Sequence, residues 1–476
     1  MNEQEIAMVD AINQEKTEIP KHKPAKSKKK IKAVIVGAII AVIAIIAVLL
    51  LILVPKFSKN TVTDEAVNLF SDGLLKVCVD EKWGFINEKG ETVIPTQFDS
   101  CSDFSEGLAK VSQKNKKDEV KYGFIDNTGN IVIPCTYDYA GTFSNGLCWV
   151  KVDDKYGFIN NTGDFAISAQ YDDVSSFSEG LAAVEIKDKV GYIDTTGTMV
   201  IGCIYDFGAP FHSGEAIVKN NDLYGVINNK GEYIVPANYE YIYPKSNGLY
   251  CVEMNEKHGF LDENGNTVIG FQFDYAVGFS EEMAVVQNND LFGFIDKEGK
   301  YVINVQYSDA GGFSEGLAIV EVGENYGYID KTGKAVITPQ FESAGAFNDG
   351  VAKVKLNDNY GFIDKEGNYI INVQYPYAEN FYDDGYAIVA TADKKYQIID
   401  KKNNVIAKGF DKIGDNNCFC AEKNCFEEAT YEEYCYTHKP STGSSYGSYC
   451  SWDGCYNKAY AYGYCYRHYS LLLEYV

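Results

Sequence analysis

Apolar and polar residues alternate in short runs along most of this chain, and the runs come in threes. From Gly316 to Glu342 the order is Gly-Leu-Ala-Ile-Val-Glu-Val322, then Tyr326-Gly-Tyr-Ile-Asp330, then Ala335-Val-Ile-Thr-Pro-Gln-Phe341. Each run is rich in β-branched and aromatic residues and is bounded by Gly, Asn, Asp or Lys, which predicts three short strands. Between the second and third lies Asp330-Lys-Thr-Gly333. There the carboxylate can cap a turn and the glycine can take the positive φ of a tight hairpin.

The pattern recurs. Gly84, Gly123, Gly157, Gly191, Gly225, Gly259, Gly293, Gly327 and Gly361 mostly follow an aromatic residue, and seven of their eight intervals equal the step from Gly123 to Gly157. A second glycine follows each by six positions, from Gly90 to Gly367. A fixed period of this length is the signature of a repeat array, whose length is set by copy number. The turn acid returns at Asp126, Asp194, Asp262, Asp296 and Asp364, and becomes Asn87, Asn160 and Asn228 elsewhere. Asparagine keeps the capping oxygen without the charge, so the position predicts a turn rather than an acid catalyst. The first interval, Gly84 to Gly123, is longer because Gln113–Glu119 extends one hairpin with a lysine-rich, solvated loop.

A third marker joins each repeat to the next: Phe104-Ser-Glu-Gly107, Phe143-Ser-Asn-Gly146, Phe177-Ser-Glu-Gly180, Phe313-Ser-Glu-Gly316 and Phe347-Asn-Asp-Gly350. A ring followed by a polar turn predicts a plug that packs the connection onto the neighbouring unit. One such meander alone cannot bury enough apolar area to offset its chain entropy, so stacking must supply the core.

Lys82-Trp-Gly-Phe-Ile-Asn87, Lys121-Tyr-Gly-Phe-Ile-Asp126, Asn359-Tyr-Gly-Phe-Ile-Asp364 and the Val93-Ile-Pro95 tripeptide resemble the WG β-repeat family, over about residues 73–400. The resemblance implies an all-β tandem array of about ten 34-residue, three-stranded antiparallel units, arranged as propeller-like blades or as an open superhelical stack, used mainly as an interaction surface. Only the first copy keeps Trp. The slot is filled elsewhere by Tyr122, Tyr156, Val190, Tyr224, His258, Phe292, Tyr326 and Tyr360, which predicts a packing position rather than a chemical site. A degenerate tenth unit, Tyr396-Gln-Ile-Ile-Asp400, lacks the glycine and is expected to cap the array.

Ahead of the array, residues 33–54 form an apolar run interrupted only by Gly37. That is long enough to cross a bilayer as one helix. Seven lysines lie between Lys21 and Lys32, and only Lys56 and Lys59 follow closely. The positive-inside bias therefore predicts a cytoplasmic tail at residues 1–32, a membrane anchor at 33–54, a linker at 55–72 and an extracytoplasmic array at 73–413. A cleaved signal peptide is the rival, but its apolar core would be shorter, and Pro55-Lys56-Phe57-Ser58 offers no small-residue cleavage site.

Charge narrows the partners. The chain carries a formal −24, and residues 1–59 hold ten Lys against five acids, so the remainder carries −29. Arg467 is the sole arginine. An acidic body without guanidinium clamps disfavours nucleic acid, whose affinity rests on clustered cations.

The C-terminal segment holds the strongest chemical constellation. Cys420, Cys425, Cys435 and His438 are spaced C-x4-C-x9-C-x2-H, and Cys450, Cys455, Cys465 and His468 repeat that spacing with every position displaced equally. Cys3His is a closed tetrahedral set for structural Zn2+. Modules at 418–438 and 450–468, joined by a linker at 439–449, are too short for cores of their own, so metal would supply the folding energy. Disulfides are the alternative in an oxidising compartment. Three cysteines per module cannot pair internally, however, and the matched histidines would be unexplained.

Six other cysteines, Cys78, Cys101, Cys135, Cys148, Cys203 and Cys251, keep no shared repeat position and read as small hydrophobes. No nucleophile motif or phosphate loop is present, and the acid pairs Glu281-Glu282 and Asp383-Asp384 lie in turns, so the chain reads as non-catalytic. Two roles remain: a surface-exposed scaffold for a protein partner, or a cell-wall or glycan binder. Sugar stacking calls for exposed aromatics at equal steps on one face, which makes the exposure of Phe207, Tyr241 and Tyr243 discriminating.

Overall fold

The computed structural model describes residues 68–414. The tail, the apolar run 33–54 and both cysteine–histidine modules lie outside them. Among the described residues there is no helix, and so none long and apolar enough to cross a membrane. They form ten four-stranded antiparallel sheets in a propeller-like arrangement. Blade 3 is representative, with strands Tyr139–Ala140, Cys148–Val152, Lys155–Ile159 and Phe165–Tyr171 in sheet order.

The expected unit had three strands; the observed one has four. The extra strand precedes the other three and in most blades is two residues long, as in Tyr139↔Lys151 and Ala140↔Val150. It begins just after the fourth strand of the preceding blade, with Asp138 alone between Tyr137 and Tyr139. Two residues show no alternation, so no periodicity marks them.

The recurring glycine explains how the chain turns back so quickly. In blade 1, Trp83 pairs with Phe98 but Phe85 pairs with Ile94, so the fourth strand carries two extra residues across Gly84. A Cβ on Gly84 would stand 2.5 Å from the Ile94 carbonyl oxygen. The same close approach, 2.5 to 2.8 Å, occurs at the oxygens opposite Gly123, Gly191, Gly225 and Gly259. Glycine is required because the bulged strand lies where a side chain would be. Blade 10 solves the problem differently. Gln397 replaces the glycine, and the fourth strand bulges by one residue at Gly409, φ 92°.

Ten apolar clusters form the core, each drawn from two adjacent blades. The core thus lies in the seams. At eight seams the ring after the repeat glycine meets the Phe at the plug position of the next blade, as in Phe124–Phe143 and Phe158–Phe177, with centroids 4.7 to 5.0 Å apart. The marker therefore packs between units, as its ring and polar turn predict.

The tenth unit is not a terminal cap. Lys412–Ile413 pairs with Leu74–Val79 and supplies the first strand of blade 1. The Phe70 amide donates to Asp384 at 3.1 Å, and the tenth seam buries Phe70, Val77 and Ile86 against Ile388, Tyr396 and Ile398. Pairing removes the free edge that a polar cap would otherwise shield.

Candidate functional site

Turn chemistry explains the two ends of the ring. In the turn between third and fourth strands, Asp126 Oδ1 accepts the Thr128 and Asn130 amides at 2.9 Å and the Thr128 hydroxyl at 2.6 Å. These hydrogen bonds, led by that from the Thr128 hydroxyl, hold its carboxyl down at about 2. The Asp and Asn positions are therefore caps. Between first and second strands, the Phe-Ser-Glu-Gly marker is a chain of inter-blade links. Ser144 donates to the Phe177 carbonyl at 2.7 Å, Ser178 to that of Phe211 at 2.6 Å, and Glu106 accepts the Gly146 amide at 3.0 Å.

The opposite end carries the turns between second and third strands. In eight blades these are two-residue turns with an acid second: Glu81, Asp154, Asp188, Asp222, Glu256, Asp290, Glu324 and Asp358, at φ 58–67°. All eight are exposed. Glycine takes this backbone conformation without strain and Asp tolerates it, so the conformational cost falls chiefly on Glu81, Glu256 and Glu324. Eight of the ten crossing residues at the same end are also acidic, Ser308 and Pro376 being the exceptions, and six of the eight clamp a lysine, as in Lys82 with Asp99, Lys121 with Asp138, Lys155 with Asp172 and Lys257 with Asp274. Sequence reading missed these clamps; the recurring aromatic-Asp pair, as in Phe98-Asp99 and Tyr171-Asp172, was the available signal.

The fourth strands form a third surface. Nine of them are seven residues long and none of the nine holds an Asp, Glu, Lys or Arg. Their fourth and sixth positions are exposed throughout, and the sixth is Gln or Asn in seven blades, including Gln170, Gln272 and Gln340. Their first position is aromatic in every second blade: Phe165, Tyr233, Tyr301 and Tyr369 in blades 3, 5, 7 and 9. Three of these rings stand edge-on to the last aromatic of the preceding blade's fourth strand. Tyr137–Phe165, Tyr205–Tyr233 and Phe273–Tyr301 have interplanar angles of 85°, 88° and 87°.

The aromatics expected to discriminate between sugar and protein are elsewhere. Phe207, Tyr241 and Tyr243 are half-buried in a ribbon that runs Phe207–Tyr224–Tyr241–Tyr243–His258–Tyr275–Phe292. Within it His258 is 5 % exposed and neither ring nitrogen has a hydrogen-bond partner. Burial pulls its pKa down to about 4, weakly opposed by the backbone at Asp274. Other residues of the repeat slot are buried or half-buried, which accords with packing.

The remaining candidates are dispersed. Cys78, Cys148 and Cys251 are buried, and burial pushes the Cys78 thiol up to about 11 and Cys148 to about 12. Glu281 accepts the Gly316 amide at 3.0 Å and Asp383 accepts from Asn348 at 2.8 Å, so one acid of each pair links adjacent blades, while Glu282 pairs with Lys297 of its own blade at 2.8 Å. Among the described residues no group of three His, Cys, Asp or Glu could hold a metal. The ligand sets Cys420, Cys425, Cys435, His438 and Cys450, Cys455, Cys465, His468 lie outside those residues.

A search of the curated proteins returns no match. Similar solved structures include one described as the eukaryotic initiation factor, 12% identical over 72% of this chain and 96% of that one, with a TM-score of 0.41. BamB from Moraxella catarrhalis is 12% identical over 58% and 88%, and Kluyveromyces lactis Hsv2p is 8% identical over 51% and 97%, both at 0.32. All three scores fall below 0.5 and carry no weight for function. The model of the family described as "WG containing repeat" matches nine stretches: 83–116, 122–156, 156–189, 191–224, 224–257, 259–292, 292–326, 326–360 and 360–396. With its repeat glycines and packing slots accounted for, the chain belongs to the WG containing repeat family.

Proposed function

We propose that this protein is a non-catalytic interaction scaffold, anchored by residues 33–54 and displayed outside the cell, whose acidic turn end docks a basic protein surface. The observation that carries this reading is the set of eight exposed carboxylate residues in left-handed turn positions. Strain of this kind persists where the surroundings or a use maintain it. Carboxylates spaced around a rigid ring suit steering and register more than tight contact. The thiols support a non-catalytic reading, since burial keeps them protonated.

Photo-crosslinkers placed at Asp188, Asp222 and Asp290 in whole cells should yield one common protein partner. The cross-link should vanish when the remaining turn acids are changed to Asn or Gln. Finding no partner, or the same yield from the neutralised variant, removes the reading. Protease added to intact cells should digest the repeat body; protection would remove the surface placement.

The two Cys3His sets are proposed to bind one structural Zn2+ each. The purified chain should carry two equivalents of zinc and lose one on Cys435→Ser. Zinc-free protein with oxidised cysteines would favour disulfides instead.

A further inference from the structure

Beyond the protein partner assigned to the turns, the fourth-strand edges form a separate surface of different chemistry. In a chain with 67 acidic and 43 basic residues, nine consecutive fourth strands are free of charge. Exposed positions on a solvated edge normally attract Lys and Glu, which also protect the edge from pairing. Here the edges are protected without charge, by the bulge over each repeat glycine and by Pro95, Pro134 and Pro236.

What is displayed instead is neutral and directional. Phe165, Tyr233 and Tyr369 are 47%, 43% and 40% exposed, and Tyr301 is half-buried. They recur at steps of two blades, and the edge-on ring beneath three of them fixes their orientation before any ligand arrives. Gln272 immediately precedes Phe273, the ring beneath Tyr301, and Gln340 holds the same position before Phe341 in blade 8; both amides are exposed. A planar ring face packs against the C–H face of a pyranose, and a side-chain amide both donates to and accepts from hydroxyls. Within these strands a basic peptide would find no carboxylate and an anionic polymer no cation, and the exposed charges that adjoin the rings, Asp164, Glu232 and Lys300, lie in the turns and are of mixed sign.

We propose that the fourth-strand edges, centred on Phe165, Tyr233, Tyr301 and Tyr369, bind an uncharged polysaccharide of pyranose units that spans several blades. Each platform alone binds weakly, and repetition along one chain supplies the affinity.

The test is affinity electrophoresis of the full-length protein through gels containing hydroxyethylcellulose, dextran or galactomannan, with polygalacturonate as the charged control. At least one neutral polymer should retard the protein, and polygalacturonate should not. Tyr369→Ala should weaken retardation about fivefold and Tyr233→Ala/Tyr369→Ala about thirtyfold or more, whereas Tyr→Phe at both positions should retain it. Thermal melting of each variant confirms that it is folded; if the double variant is not, Phe165→Ala serves in its place. Neutralising the turn acids should leave retardation unchanged, which separates this surface from the protein-docking end. The proposal is overturned if no neutral polymer retards the protein or if polygalacturonate does so equally. It is also overturned if folded alanine variants bind as before, or if they lose the cross-linked protein partner instead.

Discussion

The seam between blades 2 and 3 and the seam between blades 5 and 6 occupy equivalent places in the ring, yet they are held by different chemistry. At the first, Phe124 meets Phe143 at 4.9 Å, and the neighbouring Ser105 hydroxyl donates to the Phe143 carbonyl at 2.7 Å. Glu106 accepts the Gly146 amide there. At the second, the ring pair is replaced by Val226 and Lys245, and the serine and acid positions hold His212 and Ser213. Compensation comes from other positions. Tyr250 stands where most blades have Ala, is 1 % exposed, and donates to Glu215 at 2.6 Å, while Lys245 pairs with the same carboxylate at 2.5 Å. Glu215 itself stands where other blades have Leu, as at Leu181 and Leu249. A repeat can therefore change every link of one seam if volume and hydrogen bonding are restored together. The apolar cluster left at this seam is nonetheless the smallest of the ten.

The sharpest break is at the regular seam. Phe143→Ala, at a side chain 2 % exposed, should cost about 3–5 kcal/mol in urea unfolding, because the cavity cannot collapse between two sheets. An equal cost only at the blade 5–6 seam would invert the comparison.

Blade 6 departs from the others a second time at His258, which fills the slot of Phe292 and Tyr156. Its folded pKa of about 4 lies below the unfolded value of about 6.5, so the unfolded chain takes up the proton first as pH falls. The stability attached to the neutral ring is whole above about pH 6.5, declines between about 6.5 and 4, and levels off below that. The total is about 3 kcal/mol. His258→Phe should flatten that part of the pH–stability curve; an unchanged slope would place the titration elsewhere.

Restoring the common residues in one step, Glu215→Leu with Lys245→Phe and Tyr250→Ala, should leave stability equal or raise it by about 1–2 kcal/mol. Each single change should destabilise, because it leaves the buried Tyr250 hydroxyl or the half-buried Glu215–Lys245 pair short of a partner. Additive single effects would show that the three residues are not coupled. The smallest effect is expected from Ser144→Ala, which removes the hydroxyl bond to Phe177 and should cost about 1 kcal/mol by denaturant titration. The equivalent change at His212 should lose no such bond.

Much of this architecture is legible in advance. The second, third and fourth strands, the capped turn at Asp126 or Asn87 and the Phe plug are local features, written in alternation, turn residues and period. The first strand escapes notice because Tyr139–Ala140 is too short for any pattern. The aromatic steps at Phe165, Tyr233, Tyr301 and Tyr369 recur in every second repeat, and only their exposure distinguishes them from buried rings such as Tyr192 and Phe177. Phe207, Tyr241 and Tyr243 do not discriminate between sugar and protein, because each ring leans on a neighbour from another strand or blade, Tyr224 for the first two and His258 for the third.

From the sequence alone, this chain is a β-repeat of known period with glycine at one obligatory crossing in nearly every copy, since those are properties of single turns and strand pairs. Tertiary structure alone decided that the tenth unit closes the ring rather than capping it. Closure depends on Lys412–Ile413 arriving beside Leu74–Val79, from the far end of the array. It depends as well on the small angle accumulated at every seam, which is set by how paired side chains fill the space between blades and which no individual repeat encodes.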